Sequence, residues 1–376
     1  MDLYIDRDEL IRGLARAQGI VERRATNPVL GNVLLSARGD RLRMTASDTM
    51  LWLVADYPTR IEEEGELSVD ASTFFQIART LTQPTVHVQQ IGGNRLHISC
   101  GSAEFKVPGL APEDYPPLPT RDERTALTVA GSDLRRMIEE TLFSVSPDDN
   151  RYGLNGAHME EITGDDGEAR LRLVTTDGSR LSWSECTYEG EFAMGRRMLL
   201  PRKALGELRK LIESDAKGEG ASWSIAFGER SATFSSGSLT FLVRLVDGEF
   251  PDYRQVVPNG FKRQVSIDRS LFLGALKRAG IMASDRNHSV HFTFEADRLV
   301  LTAQNADSGD VREEIPAELE GEPLSTGFNV RYFQDILSAT TGANLRLELG
   351  EALDPCIVRT PDRTDCLFVV MPMRLD

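Results

Sequence analysis

The 376-residue sequence holds four cysteines, five histidines and three tryptophans, and each shortage removes a class of chemistry. Cys100, Cys186, Cys356 and Cys366 form no Cys-x-x-Cys pair, which argues against a disulfide framework or a zinc site and for reduced, partly buried thiols. His288 and His291 are the only close histidine pair, and on an alternating stretch they point to opposite sides, so no metal site is expected. There is no Gly-x-x-x-x-Gly-Lys phosphate loop, no Gly-x-Gly-x-x-Gly and no Gly-x-Ser-x-Gly elbow. Asp148-Asp149 and Asp165-Asp166-Gly167 lack calcium-loop spacing and read as solvated loops. No catalytic residue, cofactor or metal is therefore expected. No apolar run approaches membrane-spanning length, so no membrane role is expected. The stretch Met1-Asp2-Leu3-Tyr4-Ile5-Asp6-Arg7 is charged and lacks a signal-peptide core, which places the protein in the cytoplasm.

What the chain has is a repeat. Arg41-Leu42-Arg43-Met44-Thr45-Ala46-Ser47-Asp48 returns as Arg170-Leu171-Arg172-Leu173-Val174-Thr175-Thr176-Asp177 and again as Arg298-Leu299-Val300-Leu301-Thr302-Ala303-Gln304-Asn305. The copies start 129 and 128 residues apart, a domain-sized spacing. Each alternates in register, as a half-buried strand does. Their neighbours repeat too. Helices are expected near Arg7–Arg24, Ser72–Leu81, Asp133–Phe143, Pro201–Glu213, Arg269–Gly280 and Asn329–Thr340, with Pro201 at a first helical position. Alternating strands fill the intervals, among them Val33–Ala37, Leu51–Tyr57, Leu181–Tyr188 and Leu239–Val246, and Gly39-Asp40 suits a tight hairpin turn. The Pro-rich Ala111-Pro112-Glu113-Asp114-Tyr115-Pro116-Pro117 and the related Phe250-Pro251-Asp252-Tyr253 read as linkers. The expectation is an α+β chain of three repeated domains, 1–120, 121–258 and 259–376, each an antiparallel sheet with two helices.

Fifty-eight acidic against 43 basic residues leave a net charge of −15, which as a whole repels nucleic acid. Sorted by element, the charge tells a different story. The helical segments carry sixteen Lys and Arg against nine Asp and Glu (counting the last from Arg331), a surplus of +7 over a remainder of −22. Basic helices gathered on one side could face phosphates while strands and loops repel them. Packed helices lie about 8–10 Å apart, so twelve from two chains would line a ring roughly 35 Å across, wide enough for a duplex. Three readings stay open on these residues: a DNA-encircling ring, an acidic scaffold that binds peptides away from DNA, and an unrecognised enzyme.

Five further stretches narrow the choice. Arg151-Tyr152-Gly153-Leu154-Asn155-Gly156, Thr176-Asp177-Gly178-Ser179-Arg180-Leu181, Leu245-Val246-Asp247-Gly248-Glu249-Phe250-Pro251-Asp252-Tyr253-Arg254, Gly327-Phe328-Asn329-Val330 and Val369-Val370-Met371-Pro372-Met373-Arg374-Leu375 occur in this order at three-repeat spacing. Across its whole length the chain resembles the bacterial DNA polymerase III beta subunits, the replicative sliding clamps. That resemblance implies the DNA clamp fold, a head-to-tail homodimeric ring around duplex DNA without sequence preference, and no enzymatic activity. It implies as partners the polymerase III catalytic subunit, the clamp loader, and translesion polymerases and repair proteins that carry Gln-Leu-x-Leu-Phe-like peptides.

Carried over motif by motif, the resemblance implies a peptide pocket between the second and third repeats. Its residues would be Leu154, Thr176, Gly178, Arg180, Leu181, Pro251, Val256, Val370, Met371, Pro372, Met373, Arg374 and Leu375. Three departures from the common pattern stand at this pocket: Ser179, Gln255 and Asp376. For DNA it implies Arg24, Arg151, Arg202 and Lys203, while Thr73 replaces a residue that is commonly basic. Helix face and charge add Arg12, Arg16, Arg209, Lys210, Lys277 and Arg278. For the ring interface it implies Phe105, Ile281 and Met282.

Overall fold

The structure is a computed structural model and describes residues 1–22, 27–119, 125–148, 153–164, 166–192, 198–214, 221–258, 260–283, 288–305 and 309–374. Among these, the helices are α1 (Arg7–Ile20), α2 (Ala71–Thr80), α3 (Gly131–Thr141), α4 (Arg202–Ser214), α5 (Arg269–Met282) and α6 (Val330–Ala339). Each falls where the apolar periodicity places one. Four begin on a short polar residue that caps free backbone N–H groups: Asp6 for α1, Asp70 for α2, Asp268 for α5 and Asn329 for α6. Pro201 differs from expectation. It ends the strand Met198–Pro201 opposite Gly156, and α4 starts one residue later. A ring without an N–H donor is tolerated at the end of a ladder.

The three octapeptides all form strands, Arg41–Ser47, Ala169–Thr176 and Arg298–Asn305. The first two lead into the same turn. Asp48 Oδ1 accepts from the N–H groups of Met50 (2.9 Å) and Leu51 (2.7 Å), and Asp177 Oδ1 accepts from those of Ser179 (2.9 Å) and Arg180 (3.1 Å). The left-handed position is Gly178 in one (φ 89°) and Thr49 in the other (φ 73°), where a β-branched side chain makes it strained. The repeated order of elements leaves room for the strands Thr125–Ala130, Arg263–Asp268 and Leu324–Asn329, but the sequence reading gives them no residue ranges. Leu324–Asn329 is buried at Leu324, Thr326, Gly327 and Phe328, so it shows no clean alternation.

Contacts divide the chain into two compact units. The first comprises Met1–Gly131, Glu189–Ala193 and Gly206–Leu245 and is built on a thirteen-stranded sheet of described strands. Within it Leu51–Glu63 pairs with Arg41–Ser47 on one side and with Leu239–Arg244 on the other. A sheet begun in repeat one thus runs on into repeat two. Helix α1 buries Leu10, Leu14, Ala17 and Ile20. A Cβ on Gly13 would lie 2.5 Å from Met44 Sδ and 2.9 Å from Tyr57 Cε2, so only glycine lets α1 sit this close to the strands.

The second unit comprises Ser132–Tyr188, Met194–Leu205 and Val246–Asp376 and holds a nine-stranded and a four-stranded sheet. Here Arg180–Cys186 pairs with Ala169–Thr176 and with Cys366–Val370, so hydrogen bonds again cross from one repeat to the next. A salt-bridge network reinforces this junction. Buried Glu140 accepts from Ser184 Oγ (2.6 Å) and Arg363 Nη2 (3.2 Å), while Asp365 pairs with Arg136 (2.9 Å) and Arg363 (2.8 Å). Along Cys366–Val370 the odd and even positions feed two cores. Cys366, Phe368 and Val370 join the third-repeat core, which centres on Phe272, Phe292, Phe328 and Phe333. Leu367 and Val369 point the other way, into a smaller cluster with Val174, Leu181, Trp183, Phe250 and Tyr253.

Tyr253 pins the loop that carries Pro251 and Val256. Its hydroxyl donates to Glu160 and accepts from Arg172 Nη1 at 2.8 Å. Arg172 also bonds Glu185 at 2.7 Å and lies 4.3 Å from the Trp183 ring centre. Burial works to raise the Glu160 pKa, but hydrogen bonds from His158 and Tyr253 and the Arg254 charge outweigh it and hold the carboxyl at about 2. Burial and the Glu160 acceptor push the Tyr253 phenol up to about 12.

Two outcomes follow from this packing. Phe292→Ala removes the ring at the middle of the aromatic core (5.2 Å from Phe328, edge-on) and should cost about 3–5 kcal/mol, read by urea unfolding of the third repeat. Because the folded-state pKa of Glu160 is depressed, its stabilising contribution is full above about 4.5 and is lost as pH falls towards about 2. Glu160→Gln should therefore flatten the acid limb of stability against pH by about one proton; an unchanged acid limb would contradict this anchor.

Candidate functional site

The pocket residues described by the structure all belong to the second unit. They fall into a buried frame and an accessible rim. In the frame, the Thr176 hydroxyl donates to the Arg180 carbonyl at 2.6 Å and accepts from Gly178 N–H at 3.1 Å, which sets the turn. Leu181 is buried among Val174, Phe250 and Val369, beneath the loop that Tyr253 holds. Val370 is turned into the third-repeat core, so it supports the strand and leaves the rim to its neighbours. Leu154 is half-buried, and its carbonyl accepts from Ser146 N–H at 3.0 Å.

Arg180 is used structurally. Its guanidinium bonds Asp177 Oδ2 (3.0 Å), Asp335 Oδ2 (2.6 Å) and the Phe143 carbonyl, with the Tyr332 ring centre 4.6 Å away. It joins the turn of repeat two to α6 of repeat three, and planar forks of this kind specify geometry as well as charge. Asp335 gave no sign of this in the sequence, being 155 positions away from its partner. Phe250 and Tyr253 sit in a quoted motif, yet their part as clamps over Leu181 needs the fold to be seen.

The rim is formed by the segment after Cys366–Val370. Met371 N–H donates to the Ser179 carbonyl at 2.9 Å, and Met373 N–H to the Gly327 carbonyl at 2.8 Å. Two backbone bonds thus hold Met371, Pro372 and Met373 half-exposed, with Arg374 exposed beyond them. Pro372, lacking an N–H, breaks the ladder between the two ties. Pro251 and Val256 are exposed, Val256 by 37%. Ser179 contributes its carbonyl to the first tie, a role open to any side chain, and Gln255 bonds Asp252 at 3.0 Å. Leu375 and Asp376 lie outside the described residues. Methionine and proline around an aliphatic floor suit a short apolar peptide.

Among the candidate nucleic-acid contacts, Arg24 and Arg151 lie outside the described residues. Arg202 and Lys203 are exposed on the first turn of α4. Arg12 and Arg16 of α1 come together with Lys210 of α4 around one cavity in the first unit, and Arg209 pairs with Glu213 at 3.7 Å one turn along. Lys277 is exposed on α5, whereas Arg278 is held by Glu313 through two bonds of 2.8 Å, which raises its pKa and lowers that of the carboxyl. The observed helices carry fourteen basic against eight acidic residues, +6 within a chain of −15.

The interface candidates lie beside unpaired sheet edges. Phe105, half-buried, is on Ala103–Leu110, which pairs with Arg95–Cys100 along one side but on the other, among the described residues, reaches only Ser68 and Val69 through Leu110 and Gly109. Ile281 is 71% exposed at the end of α5, and Met282 packs partly against the third-repeat core. Gly309–Pro316 forms an outer edge of the four-stranded sheet. Open edges of this kind invite pairing with another chain.

Comparisons with known proteins agree along the whole length. Models for the N-terminal, central and C-terminal domains of the DNA polymerase III beta subunit match residues 1–119, 128–252 and 254–374. The chain is 32% identical to the beta sliding clamp of Caulobacter vibrioides and 32% identical to that of Pseudomonas aeruginosa, each over 378 residues and with full coverage of both chains. The crystal structure of a DnaN sliding clamp from Bartonella birtlesii bound to griselimycin superposes with a TM-score of 0.94 at 31% identity, and a sliding clamp from Caulobacter crescentus with 0.92 at 32%, both covered completely. The chain belongs to the DNA polymerase III beta subunit family, the bacterial sliding clamps.

Proposed function

We propose that this sliding clamp closes as a head-to-tail homodimer around duplex DNA, with domains 1–120, 121–258 and 259–376 in each copy. Pairing of the Ala103–Leu110 edge of one copy with the Gly309–Pro316 edge of the next would satisfy both rows of free backbone groups. Phe105, Ile281 and Met282 would supply its apolar contacts. A heterologous contact of this kind closes only if its rotation closes, and two three-domain copies suffice here. The protein is a processivity factor and not an enzyme.

The bore would present Arg24, Arg151, Arg202, Lys203, Arg12, Arg16, Arg209, Lys210, Lys277 and Arg278 to phosphates, with no side chain reading bases. Acidic loops and strands elsewhere would keep DNA from the outer surface. The rim Met371–Leu375, with Leu154, Pro251 and Val256 over the floor of Leu181, would seat Gln-Leu-x-Leu-Phe-like peptides of the polymerase III catalytic subunit, the clamp loader, translesion polymerases and repair proteins in the cytoplasm. The observation that carries the peptide reading is the pair of backbone ties from Met371 and Met373, which hold the methionines half-exposed beside a buried aliphatic floor.

Fluorescence polarisation of a labelled Gln-Leu-x-Leu-Phe peptide should give saturable binding to the intact protein and none to a version lacking Met373–Asp376; equal binding by both would overturn the pocket assignment. Duplex association should be indifferent to sequence and fall steeply with salt, each phosphate contact adding about 0.9 to the slope of log K against log salt. A sequence preference, or a flat salt response, would count against a DNA-lined bore.

A further inference from the structure

Between α1 and the C-terminal half of α4, inside the first compact unit, lies an open cavity of about 310 Å3. Arg12, Arg16 and Gln18 line it from one helix, and Glu207 and Lys210 from the other. Its hydrogen-bond donors exceed its acceptors. Arg12 Nε and Gln18 Nε2 are buried atoms with no hydrogen-bond partner among the described residues. Arg16 spends its bonds on neutral acceptors, Ser214 Oγ (3.1 Å), the Ser214 carbonyl (3.4 Å) and Tyr57 Oη (3.4 Å), and among the described residues no carboxylate meets it. The one carboxylate in the lining, Glu207, is bonded by Lys210 Nζ at 2.8 Å. Its Oε2 lies against Gly19, where a Cβ would stand 1.9 Å away, so a side chain there would turn the Glu207 carboxylate aside.

Arg12 is tied to Glu9 through Nη2 and Lys210 to Glu207, which leaves Arg16 as the cation here without a carboxylate among the described residues, beside two orphaned donors. Buried donors left unmade are costly, and guanidinium forks match tetrahedral oxyanions bidentately. We propose that this cavity seats one phosphate group, either a phosphodiester of the DNA backbone or free inorganic phosphate. For the first source the proposal rests on the DNA reading above and adds to it a fixed seat where a loose lining would otherwise suffice. The cavity is open, so a phosphodiester with chain continuing on both sides can enter. Arg16 would turn from its neutral partners to the anion, and Gln18 Nε2 would complete the shell.

The test is anomalous diffraction from crystals of the full chain grown with selenate, alongside anisotropy of a labelled duplex across a salt series. A selenium peak within hydrogen-bond distance of Arg16 and Gln18 is expected in the native protein, together with an affinity loss of about ten-fold or more in Arg16→Gln. Gln18→Leu leaves net charge unchanged and should also weaken selenate, which non-specific charge attraction would not reproduce; melting curves of both variants check the fold. If the DNA salt slope also falls by about 0.9 in Arg16→Gln, the seat serves a backbone phosphate. If selenate binding is lost while the slope is unchanged, the seat serves free phosphate. No peak in the cavity, with both variants binding selenate and DNA as the native protein does, overturns the proposal while leaving the DNA reading intact. A peak in a native protein that fails to bind DNA would instead sink the DNA reading and keep the seat.

Discussion

The backbone hydrogen bonds that run across repeat boundaries are the constraint on which the rest depends. Leu51–Glu63 pairs with Leu239–Arg244, and Arg180–Cys186 with Cys366–Val370, so neither junction is a flexible link between finished domains. Ladder registers fix relative placement residue by residue, since a slip of one position would exchange the faces of the strand. In the second case that would trade Phe368 and Val370 for Leu367 and Val369, putting each set in the wrong core. This is why compactness divides the chain in two although the sequence repeats three times.

The salt bridges at the second junction act on top of that register. Glu140 with Arg136 and Arg363, and Arg180 with Asp177 and Asp335, are buried or half-buried groups whose partners come from different repeats. Such pairs contribute little net stability against an apolar replacement, but losing one partner strands a charge. They favour one arrangement over near neighbours. The rim proposed for peptides inherits that definition, because its first backbone tie ends on Ser179, one residue before Arg180.

The helices and the octapeptide strands were legible because each follows from local pattern: Leu10, Leu14 and Ala17 at helical spacing, and Leu42 and Met44 at strand spacing. Leu324–Asn329 was not legible, since burial on both faces erases the alternation that marks a strand. The motif comparison named the residues of the proposed pocket but not the division of labour among them. Arg180 enters the sequence reading only as one of the pocket residues; in the fold its guanidinium bonds Asp177, Asp335 and the Phe143 carbonyl. No pattern in the chain announces a partner 155 positions distant.

Gly13 has a role that its chemistry does not suggest. With Met44 and the Tyr57 ring so near its backbone, α1 has one permitted rotation about its own axis. That rotation decides which way Arg12 and Arg16 face. The display of positive charge on this helix is therefore tied to a residue with no side chain at all, and replacing Gly13 even with alanine would be an electrostatic mutation that changes no charge.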